Sequence, residues 1–289
     1  MGLILITGST GFIGRHLVNK LSKEGKDIIS LSKSPSTDTI AVDLTCSSKT
    51  KRIVSCYSIE TVVHLAGNVK SISTSADIDN EINMAVNVIS ALNAPCRFIY
   101  LSTADEYATS NVAVNEDANL WPVNMYAQAK FRTREALEVE SKRRGIELIV
   151  LRPFLVYGLH QSKHMFISQL LNAIKNNYIF VYSARNKRRD FIHVSCLVAA
   201  ISALVNHKAS INGVFNIGTG IGTPLPEVVK IVGNELGIKV NFKRDKTLGV
   251  DTPDILVSNS EKLQKTVGWR SEIEISQGLP ELIRAIYSK

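Results

Sequence analysis

Glycines at positions 8, 11 and 14 follow directly on the apolar run Leu3-Ile4-Leu5-Ile6, within Thr7-Gly-Ser-Thr-Gly-Phe-Ile-Gly14. A short apolar run that ends in a Gly-rich turn and continues as Arg15-His-Leu-Val-Asn-Lys-Leu21 reads as strand, tight turn and helix. Such a turn lets the backbone approach a pyrophosphate, and the helix behind it offers unpaired N–H groups and the positive end of its dipole. The Gly-x-x-Gly-x-x-Gly spacing is one residue longer than the usual dinucleotide fingerprint. The cradle so defined comprises Gly8, Thr10, Gly11, Phe12, Ile13 and Gly14.

The alternation that begins there continues. Strand patterns at Asp27–Leu31, Ile40–Asp43, Thr61–Leu65, Arg97–Ser102 and Glu147–Arg152 are separated by helical patterns near Ser48–Tyr57, Asp77–Asn93 and Met125–Arg144. Short β-branched runs alternating with helices predict an α/β fold with a doubly wound parallel sheet. Beyond Pro153 the alternation loosens, with helices at Met165–Asn176, Ser195–Asn206 and Pro226–Leu236 and strands at Arg189–Val194 and Val214–Ile217. The expected division is a dinucleotide-binding domain over 1–158, with returning segments near 189–219 and 253–260. Residues 159–188 and 220–289 form mainly a smaller C-terminal substrate lobe covering the carboxyl edge of the sheet.

Composition narrows the function classes. No apolar run approaches the ~18 residues that span a bilayer, and the first apolar stretch is too short for a secretory signal. Cys46, Cys56, Cys96 and Cys196 are far apart and form no C-x-x-C, so neither a metal site nor a disulfide framework is expected, and a reduced, cytoplasmic setting is. The net charge of +8 is partly local. Lys142-Arg143-Arg144 closes a helix, and Arg185, Lys187, Arg188 and Arg189 crowd one segment. No nucleic-acid module accompanies these cations, so an anionic small molecule is the expected partner.

The chemistry lies in Met125-Tyr-Ala-Gln-Ala-Lys130 and at the end of Phe98–Ser102. Tyr126 and Lys130, four apart on a helix, share a face. An ammonium beside a phenol favours phenolate and suits the phenol to general acid/base work. Thr103, at the carboxyl end of its strand, can donate to and accept from a substrate oxygen. A second signal concerns the cofactor. At the end of the second strand, where NAD-selective sites carry a carboxylate, the chain reads Ile29-Ser-Leu-Ser32-Lys33-Ser34. Ser32 and Lys33, with Arg15 in support, would accept a 2′-phosphate, so NADP is expected over NAD.

In order along the chain, these landmarks resemble the extended short-chain dehydrogenase/reductase family of nucleotide-sugar epimerases, dehydratases and ketoreductases. Beyond the glycine turn, the matching residues are Asp43-Leu44, His64-Leu65-Ala66-Gly67, Asn87-Val88, Ser102-Thr103 with Tyr107, Tyr126-x-x-x-Lys130, Arg152-Pro153 with Val156-Tyr-Gly158, Arg189-Asp-Phe-Ile-His-Val194, Asn216–Gly220 and Gly268-Trp269. The resemblance implies a Rossmann-type sheet. It implies that Asp43, Leu44, Leu65, Ala66, Gly67, Asn87, Ser102 and Pro153 join the cofactor site, with Tyr126 as proton donor, Lys130 on the nicotinamide ribose and Thr103 orienting the reacting oxygen. Asp105 and Arg189 join Thr103 and Tyr126 in the substrate site, Arg189 against the nucleotide diphosphate.

Three departures from the family pattern refine the reaction. Ala104 stands where dehydratases carry an acid, and Thr103-Ala-Asp-Glu-Tyr107 resembles the corresponding segment of sugar 4-ketoreductases. Phe154-Leu155 replaces a Phe-Asn pair, and Ser195-Cys196 an acidic pair. Reduction of a nucleotide-linked 4-keto-6-deoxy sugar is the expected activity, with an NAD-dependent C4 epimerase as the alternative and a homodimer as the expected assembly. A non-catalytic cofactor sensor would have no need of the complete Thr103/Tyr126/Lys130 set.

Overall fold

The computed structural model describes residues 2–34, 36–67, 72–93, 95–108, 110–183, 186–245, 247–248 and 253–287, so that Arg185 of the basic cluster lies outside the described residues. The chain divides into two compact units, one of 1–106, 122–152 and 198–215, the other of 107–121, 153–197 and 216–289.

The first unit begins with β1 (Leu3–Thr7), α1 (Phe12–Lys23), β2 (Ile28–Ser32), β3 (Ile40–Ala41), α2 (Ser47–Val54), β4 (Ile59–His64), α3 (Ser75–Ser90) and β5 (Arg97–Leu101). A 3-10 turn at Ala104–Glu106 leads towards α4 (Met125–Arg144) and β6 (Glu147–Pro153). After β7 (Leu155–Tyr157), α5 (Phe166–Lys175), β8 (Phe180–Ser183) and β9 (Arg188–His193), the chain returns to this unit through α6 (Val194–Asn206) and β10 (Gly213–Ile217). The order β10-β6-β5-β4-β1-β2-β3 makes a seven-stranded Rossmann-like sheet, in which neighbouring strands from β6 to β3 all run parallel. Strands covered on both faces need apolar residues throughout. Val62, Val63, Phe98, Ile99, Ile149 and Leu151 are accordingly all fully buried.

This strand order places a switch point between β1 and β4, where the chain leaves in opposite directions along the sheet. Ligands of open α/β sheets bind outside the carboxyl ends of the strands at such a point. Thr7 of β1 is in register with His64 of β4 at those ends.

Capping explains where the helices near this edge begin. The Thr74 hydroxyl accepts from the Asp77 N–H while the Asp77 carboxylate accepts from the Thr74 N–H, a reciprocal box that starts α3 two residues before the expected Asp77. The Asn124 carbonyl oxygen likewise accepts from the Ala127 N–H at the start of α4. The strand expected over Ile40–Asp43 stops at Ala41, and the Asp43 carboxylate then accepts from the Thr45 N–H in an Asx turn.

In the second unit, β9 pairs in parallel with β7 and β13 (Ile255–Leu256) and antiparallel with β11 (Gly222–Pro224). β8 pairs with β12 (Phe242–Asp245), and α7 (Leu225–Leu236), α8 (Glu261–Val267) and α9 (Ile275–Tyr287) complete the unit. Its core joins Leu170, Phe180, Phe191, Val228 and Leu279. Residues 107–121, 153–158, 189–197, 216–219 and 253–260, expected with the first domain, fall in this unit, 153–158 and 189–197 because β7 and β9 pair with each other.

Candidate active site

Glycine geometry builds the first part of the site. Gly8 has φ +66°, and a Cβ there would stand 2.7 Å from the Ala66 nitrogen, so only glycine lets the end of β1 lie against the chain leaving β4. A Cβ on Gly14 would come within 2.2 Å of the Gly8 carbonyl oxygen, which fixes how closely α1 packs on the turn. Unlike α3 and α4, α1 has no side-chain cap on its N-cap residue Gly11, and like α4 it has no acid in its first turn. Its first N–H groups and dipole therefore face the turn uncompensated by side chains, the arrangement a pyrophosphate requires. These residues fit a dinucleotide.

A groove extends from this turn. It is lined by Gly8, Thr10, Gly11, Ser32, Lys33, Asp43, Leu44, Leu65, Ala66 and Gly67, all expected cofactor residues, together with Asp77, Asn80, Glu81 and Met84 of α3. Its wall is hydrogen-bonded across strands. Thr10 Oγ1 and Ser32 Oγ are 2.7 Å apart, Ser9 Oγ donates to the Leu31 carbonyl, and the Ala66 N–H donates to Thr7 Oγ1. Phe12, Ile13 and Gly14 lie on the first turn of α1. Arg15 is exposed and its guanidinium donates to the Thr10 carbonyl at 2.9 Å.

Two further contacts shape this end. The stretch closing β2 has no carboxylate of its own, but β3 lies alongside and brings Asp43 Oδ2 to 3.0 Å from Lys33 Nζ. Hydrogen bonds from Thr45 and the nearby Lys33 lower the Asp43 carboxyl to about 2, so it is ionised throughout the neutral range. Asn87, expected at the cofactor, reaches the loop after β3. Its amide donates to the Leu44 and Thr45 carbonyls at 2.8 and 3.2 Å, tying α3 to the loop that carries Asp43.

The second part of the site gathers around α4. The Thr103 hydroxyl lies close enough to the Tyr126 phenol to favour its phenolate, and Thr103 Oγ1 accepts from the Asp105 N–H at 3.2 Å. Thr103 is buried, while Tyr126 and Asp105 are half-buried. The expected lowering of the phenol is reversed. Burial pushes Tyr126 above the ordinary tyrosine range, the Asp105 carboxylate adds to this, the Thr103 hydroxyl opposes it, and Glu81 and Glu106 raise it further. The Lys130 ammonium faces Glu81, with Nζ 3.7 Å from Oε2 and 5.3 Å from the centre of the Tyr100 ring.

The acids of Asp105-Glu106 have separate surroundings. Glu106 is fully buried and meets Arg152 Nη2 at 2.9 Å and Arg134 Nε at 3.6 Å, while the Ser102 hydroxyl donates to its other oxygen. Ser102, expected at the cofactor, thus spends its hydroxyl on Glu106, and its N–H donates to the Leu151 carbonyl. His64 is buried, with Nδ1 3.0 Å from Thr7 Oγ1. Burial, helped by the Lys130 charge, lowers the imidazole to about 3 and keeps it neutral.

Pro153 and Arg189 belong to the second unit. There the Arg189 guanidinium donates to the Pro253 and Asp254 carbonyls at 2.8 and 3.1 Å, and Lys187 is buried with Nζ 3.1 Å from an Asp254 oxygen. The adjacent Asp190 is fully buried and accepts from Thr219, Gly220 and Ser258, which organises the loops around it. Glu81, Glu106 and His64 carry roles that motif spacing missed. The signal available for Glu81 was an acid on the apolar face of α3, among Ile78, Ala85, Val88 and Ile89.

Comparison with known proteins agrees with this geometry. Residues 4–218 match the model of the NAD dependent epimerase/dehydratase family. The chain is 26% identical to a putative UDP-glucose 4-epimerase of Methanocaldococcus jannaschii, over 97% of each chain. It is also 26% identical to the dTDP-4-dehydro-6-deoxyglucose reductase of Escherichia coli, over 99% of this chain and 98% of that one. The fold matches a UDP-glucose 4-epimerase from Thermotoga maritima, solved with UDP-glucose, at a TM-score of 0.87, with 22% identity over 99% of both chains. No helix among the described residues is long and apolar enough to cross a membrane. With its glycine turn, switch-point groove and Thr-Tyr-Lys cluster matched by a family model over most of its length, the chain belongs to the NAD dependent epimerase/dehydratase family, within the extended short-chain dehydrogenases/reductases.

Proposed function

We propose that this protein reduces the keto group of a nucleotide-linked 4-keto-6-deoxy sugar, with NADPH as the preferred reductant. The observation that carries the reading is the grouping of the Thr103 hydroxyl with the Tyr126 phenol, with Lys130 one helical turn further along α4. The glycine turn and the groove residues would hold a nicotinamide dinucleotide, which would supply the hydride for the keto carbon. Tyr126 gives its proton to the oxygen that becomes the new hydroxyl, and a phenol held protonated is ready to act as that acid. Thr103 holds the same oxygen, and Lys130 lowers the cost of the phenolate left behind once its ammonium turns to the cofactor's ribose.

Two features weigh against dehydration. Ala104 has no acid to protonate a leaving hydroxyl, and Glu106 is occupied by Arg152 and Arg134. Arg189 is proposed to meet the substrate diphosphate, since a guanidinium fork suits that dianion. Pro153 is proposed to line the cofactor site, and the relatives' substrates suggest a uridine or thymidine diphosphate carrier.

The second reading, a C4 epimerase, draws on the full-length relatives named as such. Stoichiometry separates the two. Incubated with dTDP- and UDP-linked 4-keto-6-deoxy sugars, the protein is expected to consume one NADPH per product. Interconversion of UDP-glucose and UDP-galactose without added reductant would overturn the reductase reading in favour of the epimerase.

A further inference from the structure

Glu81 has no part in the chemistry just proposed, yet its carboxylate is the anion nearest the lysine of that chemistry. It sits on the middle of α3, only 3% exposed, and it reaches Lys130 of α4, 5% exposed, across the helix pair. Gly67, on the loop after β4, closes the pair from a third side. A Cβ at that position would lie 3.0 Å from both Glu81 Oε2 and Lys130 Nζ. Glu81 and Gly67 both line the dinucleotide groove, so the carboxylate end of the ion pair stands in its wall.

A buried carboxylate and ammonium are retained together because either alone would be left uncompensated. An ammonium so paired exerts little field on a neighbouring phenol, because the two opposite charges largely cancel at a distance. Resting on the reading of Tyr126 as the proton donor, we propose that Glu81 is the positioning residue of Lys130. It holds the ammonium beside the groove wall and restrains it from easing proton loss at Tyr126 until a ligand draws it away.

The groups facing this pair and the phenol fit that assignment. On α4 stand Tyr126 and Lys130 themselves, and the 3-10 turn contributes Asp105 and Glu106, the latter neutralised by Arg152 and Arg134. Tyr100 of β5 presents its ring, and His64 of β4 is uncharged in the neutral range. The charge balance at Tyr126 therefore turns on Asp105, Glu81 and Lys130, and only Glu81 forms an ion pair with the lysine among the described residues. In this arrangement the groove itself becomes the trigger. A ligand hydroxyl that hydrogen-bonds Lys130 competes with Glu81, and the phenol becomes easier to deprotonate only in the loaded protein.

The test reads the phenol directly, with neither cofactor nor substrate. Tyrosinate absorbance at about pH 10, the ordinary phenol midpoint, is measured for the whole protein and corrected with Tyr126→Phe. Glu81→Gln is expected to raise the Tyr126 phenolate at least tenfold, the scale of one nearby charge, and Glu81→Asp to restore most of the original behaviour. In a Lys130→Met background the same substitution is expected to lose at least half of its effect. Unchanged phenolate in Glu81→Gln, or an equal effect with and without Lys130, would overturn the proposal. Should Glu81→Gln fail to fold, Gly67→Ala wedges the pair apart at constant charge and must increase phenolate in the same direction; no increase would overturn it. Full turnover in Tyr126→Phe would instead sink the catalytic reading and leave the titration result standing.

Discussion

Arg152, near the end of β6, and Glu106, in the turn after β5, form a buried ion pair with Nη2 and Nε at 2.9 and 3.1 Å from the same carboxylate oxygen. Both side chains are excluded from water, at 2% and 0% exposure. The pair joins the strand ends that carry Thr103 and approach Asp105, so it anchors the turn that presents both residues to Tyr126. Removing one member strands the other without compensation, which costs about 3–5 kcal/mol for a buried pair. Glu106→Gln is therefore expected to lower the denaturation midpoint sharply, measured by urea unfolding. A change below about 1 kcal/mol, typical of an exposed pair, would mean that water reaches this site.

Tyr126→Phe removes one hydroxyl and retains the ring. The fold and NADPH affinity are expected to be preserved while turnover falls by about 10²–10⁴-fold, the usual worth of a positioned acid. Turnover within a few-fold of the unaltered protein would place the proton donor elsewhere.

His64 predicts an acid-sensitive fold. Its imidazole falls from the ordinary 6.5 to about 3 in the folded chain, chiefly through burial. Between those values the unfolded chain binds a proton that the folded chain refuses, so stability decreases as pH falls through this window. The slope from one such group is about 1.4 kcal/mol per pH unit. Unfolding free energies at a series of pH values in this window should show that component, and His64→Asn should remove it. An identical slope in the variant would assign the acid sensitivity to the carboxylates.

How much of this was legible in sequence depends on the range of each interaction. The glycine turn was readable because its requirement is local: Gly8 and Gly14 are set by backbone closeness over a few residues and by one adjoining strand. Tyr126 and Lys130 were readable because four residues on a helix fix a shared face. What that face meets was not. Glu81 lies 49 positions before Lys130 (130 − 81), and the burial that chiefly raises the phenol is set by the packed chain, not by helical spacing. Asn87 shows the same limit: helix α3 was foreseen, but not that the Asn87 amide holds the Leu44 carbonyl.

Cofactor preference tests the same limit at the end of β2. The sequence there offers hydroxyls and an ammonium, while the fold adds Asp43 beside Lys33. A 2′-phosphate would meet that carboxylate as well as the ammonium. The pair is a surface one, with the Lys33 side chain 79% exposed, and such pairs contribute at most about 1 kcal/mol. A charge-assisted bond to phosphate is worth about 1.5–3 kcal/mol, enough for Lys33 to turn from Asp43 to the ligand. NADPH is therefore expected to bind at least tenfold more tightly than NADH, measured by fluorescence titration at fixed ionic strength. Lys33→Glu should invert the order by setting two carboxylates against the phosphate, and Asp43→Asn should strengthen NADPH binding. Tighter NADH binding by the unaltered protein would mean that Asp43 governs the pocket, and would move the balance towards the epimerase.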